Sequence, residues 1–255
     1  MGSVEPRIIP CLLLDGDALV KTVQFADPTY VGDPVNVLSI FNEFEVDEIV
    51  LLDIAAPTCG APTSVERLTR LAEECFIPLA YGGGLRSCEQ MAQVLRAGVE
   101  KVILNTLLWD DADQVREAAR LFGSQAVVAS IDVRQVDGQP RVFVSGGTID
   151  TGETPVGWAR RAEDLGVGEV LLTSIDREGS MDGFDLELIE SVAEVLSVPL
   201  IAHGGAGKWS QLSGPLRDGG ASAVAAGSLF VYQGSSRGVL INYPPRAQVL
   251  RLLAR

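Results

Sequence analysis

The sequence predicts a closed (β/α)8 barrel, a TIM barrel. Three observations lead there: a length of 255 residues, short apolar runs alternating with amphipathic stretches, and an internal repeat spanning about half the chain. Eight-fold β/α barrels run to ~250 residues, so a single domain over 1–255 accounts for the whole length. Hydrophobic residues make up 47% and there are 27 glycines, which suits many buried parallel strands separated by tight turns.

The apolar runs place eight strands at 7–14, 48–53, 78–81, 101–105, 126–132, 169–173, 199–203 and 223–227. Between them, 64–74, 88–97, 112–121, 156–165 and 185–196 carry apolar residues at helical spacing. No stretch reads as a linker. The repeat can be counted. Glu48-Ile-Val-Leu-Leu-Asp-Ile matches Glu169-Val-Leu-Leu-Thr-Ser-Ile, and Ile77-Pro-Leu-Ala-Tyr-Gly-Gly-Gly matches Val198-Pro-Leu-Ile-Ala-His-Gly-Gly. Leu95-Arg-Ala-Gly likewise matches Leu216-Arg-Asp-Gly, and all three pairs are offset by 121 positions. Two fused half-barrels of four β/α units each produce that pattern.

Bulk charge excludes some functions. The net charge is -14 and the 20 Lys and Arg form no run, which argues against a nucleic-acid partner. Neither an export signal nor an apolar span long enough for a membrane is visible, so a cytoplasmic protein is expected. Cys11, Cys59, Cys75 and Cys88 fit neither a C-x-x-C nor a zinc spacing and read as free thiols; no metal and no cofactor is expected.

In such barrels function sits at the C-terminal strand ends, where Gly-rich turns let backbone N–H groups approach a phosphate. Gly82-Gly83-Gly84 follows the third strand, Gly204-Gly205-Ala206-Gly207 the seventh, and Ala226-Gly227-Ser228 the eighth. The first two are related by the repeat, so a phosphorylated substrate with an anion at each end suits them. Lys21, read as lying in a long loop after the first strand, and Lys208 could add positive charge. At the other end, strand alternation turns Arg7, Glu48, Lys101 and Glu169 into the barrel as a ring of two cations and two anions. Inward columns such as Arg7, Ile9, Cys11, Leu13 and Lys101, Ile103, Asn105 begin charged and become apolar. The ring also reads as a stabilising salt-bridge layer closing the barrel bottom.

Several stretches together resemble one family: Arg7-Ile-Ile-Pro-Cys-Leu, Asp47-Glu-Ile-Val-Leu-Leu-Asp-Ile, Tyr81-Gly-Gly-Gly and Glu100-Lys-Val-Ile-Leu-Asn-Thr. Phe122-Gly-Ser-Gln-Ala-Val-Val-Ala-Ser-Ile-Asp, Leu172-Thr-Ser-Ile-Asp-Arg-Glu-Gly and Gly204-Gly-Ala-Gly-Lys extend the likeness. From Arg7 to about Phe230 the chain resembles the HisF family, the cyclase subunit of imidazole glycerol phosphate synthase. The resemblance implies a barrel docked on a HisH-like glutaminase, with ammonia passing through the core to a substrate bearing two phosphates. Arg7, Glu48, Lys101 and Glu169 match the family's ammonia gate, and Glu100 a residue near the glutaminase interface. Asn105, Thr173, Asp176, Gly83, Gly84, Gly204, Gly205, Gly227, Ser228 and Lys21 are the implied substrate and phosphate contacts.

The family's chemistry implies two aspartates as general acid and base, one ending the first strand and one the fifth. Asp132 is the second; position 13, where the first belongs, is Leu. Asp15 and the single histidine, His203, which stands where the family has a small serine, are the remaining candidates. With the departing C-terminus Val239-Leu-Ile-Asn-Tyr-Pro, these differences resemble a divergent HisF-like branch (AglZ-like) associated with acetamidino modification of surface polysaccharides. That branch implies ammonia delivery for amidine formation, alongside an N-acetyl sugar amidotransferase. Two alternatives stand beside it: a true cyclase of histidine biosynthesis, and a non-catalytic scaffold that activates a glutaminase. A related isomerase of the same fold is weaker, since it has no need of the charged ring.

Overall fold

The computed structural model of the chain describes residues 6–56, 64–234 and 237–253; Cys59 lies outside them. In chain order the strands are β1 (Arg7–Asp15), β2 (Ala18–Val23), β3 (Ala26–Gly32), β4 (Ile49–Asp53), β5 (Leu79–Gly82), β6 (Lys101–Leu104) and β7 (Val127–Val136). They continue as β8 (Gln139–Val144), β9 (Ile149–Asp150), β10 (Glu169–Ser174), β11 (Leu200–His203), β12 (Ala223–Ala226), β13 (Tyr232–Gln233) and β14 (Gly238–Val239). Eight of these close on themselves as parallel neighbours in the order β1, β4, β5, β6, β7, β10, β11, β12 and back to β1. Each expected strand is present within a few residues of its predicted ends.

The helices follow from local chemistry. They are α1 (Pro34–Glu43), α2 (Val65–Glu73), α3 (Cys88–Arg96), α4 (Leu107–Asp110), α5 (Ala112–Phe122), α6 (Pro155–Asp164), α7 (Leu186–Ala193), α8 (Ser213–Arg217), α9 (Ser228–Val231) and α10 (Arg246–Leu253). Asp33, Ser64, Ser87, Asp111, Thr154 and Asp185 cap α1, α2, α3, α5, α6 and α7, each side chain accepting from a first-turn amide that has no helical partner. Pro34 and Pro155 stand where a missing N–H costs nothing.

Strand alternation divides the apolar residues into two cores. Leu12, Leu51, Tyr81, Leu104, Ile131 and Val170 point outward against the helices. Ile9, Cys11, Val50, Ala80, Ile103, Val128, Leu171, Ile201, Ala223 and Ala225 fill the barrel itself. The inward columns read from the sequence are therefore the ones the fold uses.

Two features depart from the expected pattern. The stretch after the first strand is an antiparallel hairpin of β2 and β3 rather than a loop. The fifth strand runs on past Asp132 to Val136 and turns back into β8 through Asp137 and Gly138, at φ 50° and 74°. Two consecutive positive φ values make the kind of turn whose twist matches the flanking strands. The two hairpins meet at the C-terminal mouth. A Cβ at Gly147 would lie 2.9 Å from the Phe25 ring, so the glycine is what lets the first hairpin settle on the turn from β8 to β9. At the C-terminus, Tyr243 packs on Phe230, and its hydroxyl donates to the Ile8 carbonyl at 3.0 Å, tying the tail to β1.

Among the described residues the largest fully buried side chain is Trp158 on α6, which is 1% exposed, stacks on Trp109 with centroids 5.8 Å apart and carries the Arg161 guanidinium over its ring. Trp158→Ala is expected to lower the unfolding free energy by about 3–5 kcal/mol in urea titration. A loss below about 1 kcal/mol would show that the helix layer collapses into the void.

Candidate functional site

The N-terminal end of the barrel is closed by charge. Arg7 opens β1, Lys101 opens β6, Glu169 opens β10, and Glu48 immediately precedes β4. Arg7 bridges Glu48 and Glu169 through its two terminal nitrogens. Lys101 bridges the same two carboxylates at 2.8 Å each. Every cation meets both anions. The acids are nearly buried, with side chains 4% and 7% exposed, while Arg7 and Lys101 keep 24% and 19%. Burial works against the charge on Arg7, but the hydrogen bonds and attraction of Glu169 and Glu48 outweigh it and raise its pKa. The ring predicted from alternation is thus a completed network, and the apolar interior begins directly above it. Glu100 lies exposed at the same face.

At the opposite end Asp132, Thr173 and His203 are all buried and face inward. Ser130, two residues before Asp132 and so on the same face, donates to one carboxylate oxygen at 3.0 Å; Asn105 donates to the other at 3.2 Å. The Asn105 amide also reaches the carbonyls of Ser130 and Phe143, so it locks β6 to β7 and orients the carboxylate. Burial pushes the Asp132 pKa up to about 7, against the hydrogen bonds from Ser130 and Thr173. Burial pulls His203 down to about 4, helped by the Lys21 charge and opposed by Glu178. The Cys11 thiol, inside the barrel, is pushed up to about 12 by burial. Near neutral pH the mouth thus holds a neutral imidazole and a carboxyl poised to gain or lose a proton.

Several expected site residues stand elsewhere than the sequence implied. Lys21 is not in a loop. It lies on β2, 6% exposed, its ammonium paired with Glu178, whose other oxygen accepts from Thr22 and from the Phe25 amide at 3.2 Å. The Asp176 carboxylate accepts the Gln135 amide at 2.8 Å, fastening the extended β7. Glu178, two residues on and 1% exposed, takes the inward place; sequence reasoning missed it, since the only signal is its pairing with a lysine 157 positions away. Asp15 ends β1 opposite Ala18 in the hairpin, about 6.6 Å beyond Leu13 along the strand. It has no hydrogen bond to Asp132 or His203 among the described residues.

The glycine turns are shaped by close approach. A Cβ at Gly83 would lie 2.5 Å from the Asp53 carbonyl oxygen, and one at Gly205 would lie 2.1 Å from that of Gly183; both residues have positive φ, as do Gly84 and Gly204. At Gly207 and exposed Lys208 the backbone amides are already taken, both donating to the Gln211 side chain at 2.9 Å. Gly227 makes room for the Lys21 stem, which a Cβ there would meet at 2.7 Å. Beside it the hydroxyl of Ser228, 4% exposed, has no hydrogen-bond partner among the described residues.

The ring and the carboxyl each generate a prediction. Lys101→Met leaves Glu48 and Glu169 with one shared cation, and is expected to cost about 3 kcal/mol in urea unfolding, as for other broken buried pairs. Asp132, raised from 3.8 to about 7, favours folding fully below pH 3.8, and that contribution is lost as pH rises to about 7. His203 acts in the opposite sense, its contribution lost as pH falls from 6.5 to about 4. Relative to wild type, Asp132→Asn should therefore gain stability across pH 4 to 7, by at most about 1.4 kcal/mol per unit, and then level off. A difference that stays flat across that range would sink the assignment.

Comparison with known proteins identifies the family. A sequence profile of the family described as "Histidine biosynthesis protein" matches residues 7–237. A Pseudomonas aeruginosa protein named "Putative imidazole glycerol phosphate synthase subunit hisF2" is 48% identical, over 94% of this chain and 96% of its own length. A Leptospira interrogans protein with the corresponding HisF name is 42% identical, over 95% and 96%. The imidazole glycerol phosphate synthase subunit HisF of Metallosphaera sedula is 45% identical, over 88% and 89%. Closed parallel barrel, charged floor and near-complete alignment lead to one statement: the chain belongs to the histidine biosynthesis protein family, as one of its HisF-type barrels.

Proposed function

We propose that this barrel is the ammonia-receiving subunit of a glutamine-dependent synthase. It docks a HisH-like glutaminase on its N-terminal face, with Glu100 at the contact, and delivers ammonia to a phosphorylated or similarly anionic acceptor at its C-terminal mouth. One observation carries this reading: the Arg7, Glu48, Lys101 and Glu169 network forms the floor of an apolar interior that leads to Asp132. Ammonia is small and neutral, so it can cross an apolar core that excludes ions. The orphaned Ser228 hydroxyl supplies a donor for an anion at the mouth, next to Gly227 and one strand from the turn at Gly204 and Gly205, with the repeat-related turn at Gly83 and Gly84 across the barrel for a second anion.

Leu13 separates the two chemistries open to such a subunit. Cyclization by paired carboxyls needs a titratable group at the end of the first strand, and Leu13 cannot supply one. Asp15 is paired with Ala18 two residues further along β1, which speaks against its taking that place. That favours amidine formation on an N-acetylated surface sugar, with an N-acetyl sugar amidotransferase as the enzyme that uses the ammonia. The second reading, cyclization in histidine biosynthesis, draws on the names of the Pseudomonas and Metallosphaera relatives.

An ammonium-supplied assay on the substrate of imidazole glycerol phosphate synthase, without glutaminase, decides between them. Wild type is expected to turn over at least about 100-fold more slowly than Leu13→Asp, the smaller end of what a general acid or base contributes. Turnover by wild type equal to that of Leu13→Asp would overturn the amidine reading and establish the cyclase.

A further inference from the structure

Three neighbouring strands bring three reactive side chains into one row at the mouth. Asp132 on β7 stands opposite Thr173 on β10, and Thr173 stands opposite His203 on β11. Residues level with one another in adjacent strands share a face, so all three turn into the barrel. Thr173 Oγ1 lies 3.1 Å from His203 Nδ1, and the same residue stands level with Asp132 in the neighbouring strand, where its hydroxyl works against the burial that raises the Asp132 pKa. Ser130 and Asn105 fix that carboxyl from its other sides. Relative exposures of 8%, 2% and 6% keep the row out of bulk water.

The hydrogen-bond inventory dictates the direction. A hydroxyl has one proton to donate. If Thr173 gives that proton to an ionised Asp132, it can only accept from Nδ1–H, and Nε2 then keeps its lone pair. Nε2 has no hydrogen-bond partner among the described residues. The charged groups facing the imidazole are Lys21 from the first hairpin and Glu178 from the loop after β10, and these two neutralise each other.

We propose that Asp132, Thr173 and His203 form a proton relay in which His203 Nε2 is the base for the nitrogen that adds to the acceptor. The relay supplies the second titratable group missing at Leu13, and it rests on the mouth being the reactive end. As the incoming nitrogen's lone pair forms a bond to the acceptor carbon, a π pair of that carbon moves onto its own heteroatom. The nitrogen, now cationic, gives one proton to Nε2. Nδ1 passes its proton to Thr173 Oγ1, and the hydroxyl proton goes to the Asp132 carboxylate. One proton leaves the nitrogen and one carboxylate becomes neutral, with no further reactant.

His203 is the only histidine in the chain, so nitrogen NMR of the full-length protein labelled with 15N-histidine reads one ring without assignment. The expected result is a neutral ring protonated on Nδ1 above pH 6.5, with both ring shifts stepping near pH 7 as Asp132 ionises. Thr173→Val and Asp132→Asn should each remove the step, and Thr173→Ser should keep it. A ring protonated on Nε2, no step in wild type, or a step that persists in Asp132→Asn overturns the relay. If Thr173→Val does not fold, the near-isosteric Asp132→Asn decides alone. Neither partner nor acceptor is needed, so the relay and the ammonia-delivery reading stand or fall separately.

Discussion

Taking Glu48 and Glu169 out of water costs several kcal/mol each unless their charge is matched where they sit. Arg7 and Lys101 match it twice over, each spanning both carboxylates. The four residues come from the starts of four different strands, so the network holds only if those strands keep one shear and one register around the barrel. The same register puts Ile9, Val50, Ile103 and Leu171 in the next layer and carries the columns on to Asp132 and His203. The floor and the mouth are therefore two ends of one alignment, and shifting one strand by a residue would turn its whole inward set against the helices.

Between these ends the barrel changes character. Its lower wall is a fully paired ionic layer, its middle apolar, and its upper rim a set of polar groups whose protonation is governed by burial. Two hairpins grow out of the first and fifth strands at the rim, the two strands that carry Leu13 and Asp132. Glu178 fastens the first hairpin through Lys21, Thr22 and the Phe25 amide, and Phe25 rests on the turn from β8 to β9 at Gly147. Polar chemistry at the mouth is thereby kept in a low-dielectric setting, where a carboxyl stays partly protonated near neutral pH and an imidazole stays neutral.

Much of this was legible in the residues. The repeat located the strands, because Glu48 and Glu169 begin equivalent segments, and alternation alone placed both acids inward. The hairpins were less visible: β2 interrupts its apolar run with Lys21 and Thr22 and β3 is largely exposed, although the Asp137-Gly138 pair between β7 and β8 is a hairpin signal in its own right. Asp176 and Glu178 show the limit at the mouth. Both follow a strand end and either could face the site; only the extension of β7 to Gln135, which engages Asp176, leaves the inward place to Glu178.

The sequence by itself determined the parallel barrel, the family, the inward parity of every column, the charged floor and the absence of a carboxyl at position 13. These depend on periodicity and residue identity, which are local properties of a strand. Tertiary structure decided which groups meet: that Lys21 is neutralised by Glu178, that Asp15 pairs with Ala18 in the first hairpin, and that Asp132, Thr173 and His203 fall level with one another. Those outcomes depend on register between strands far apart in the chain and on burial, and neither is a property of any one segment.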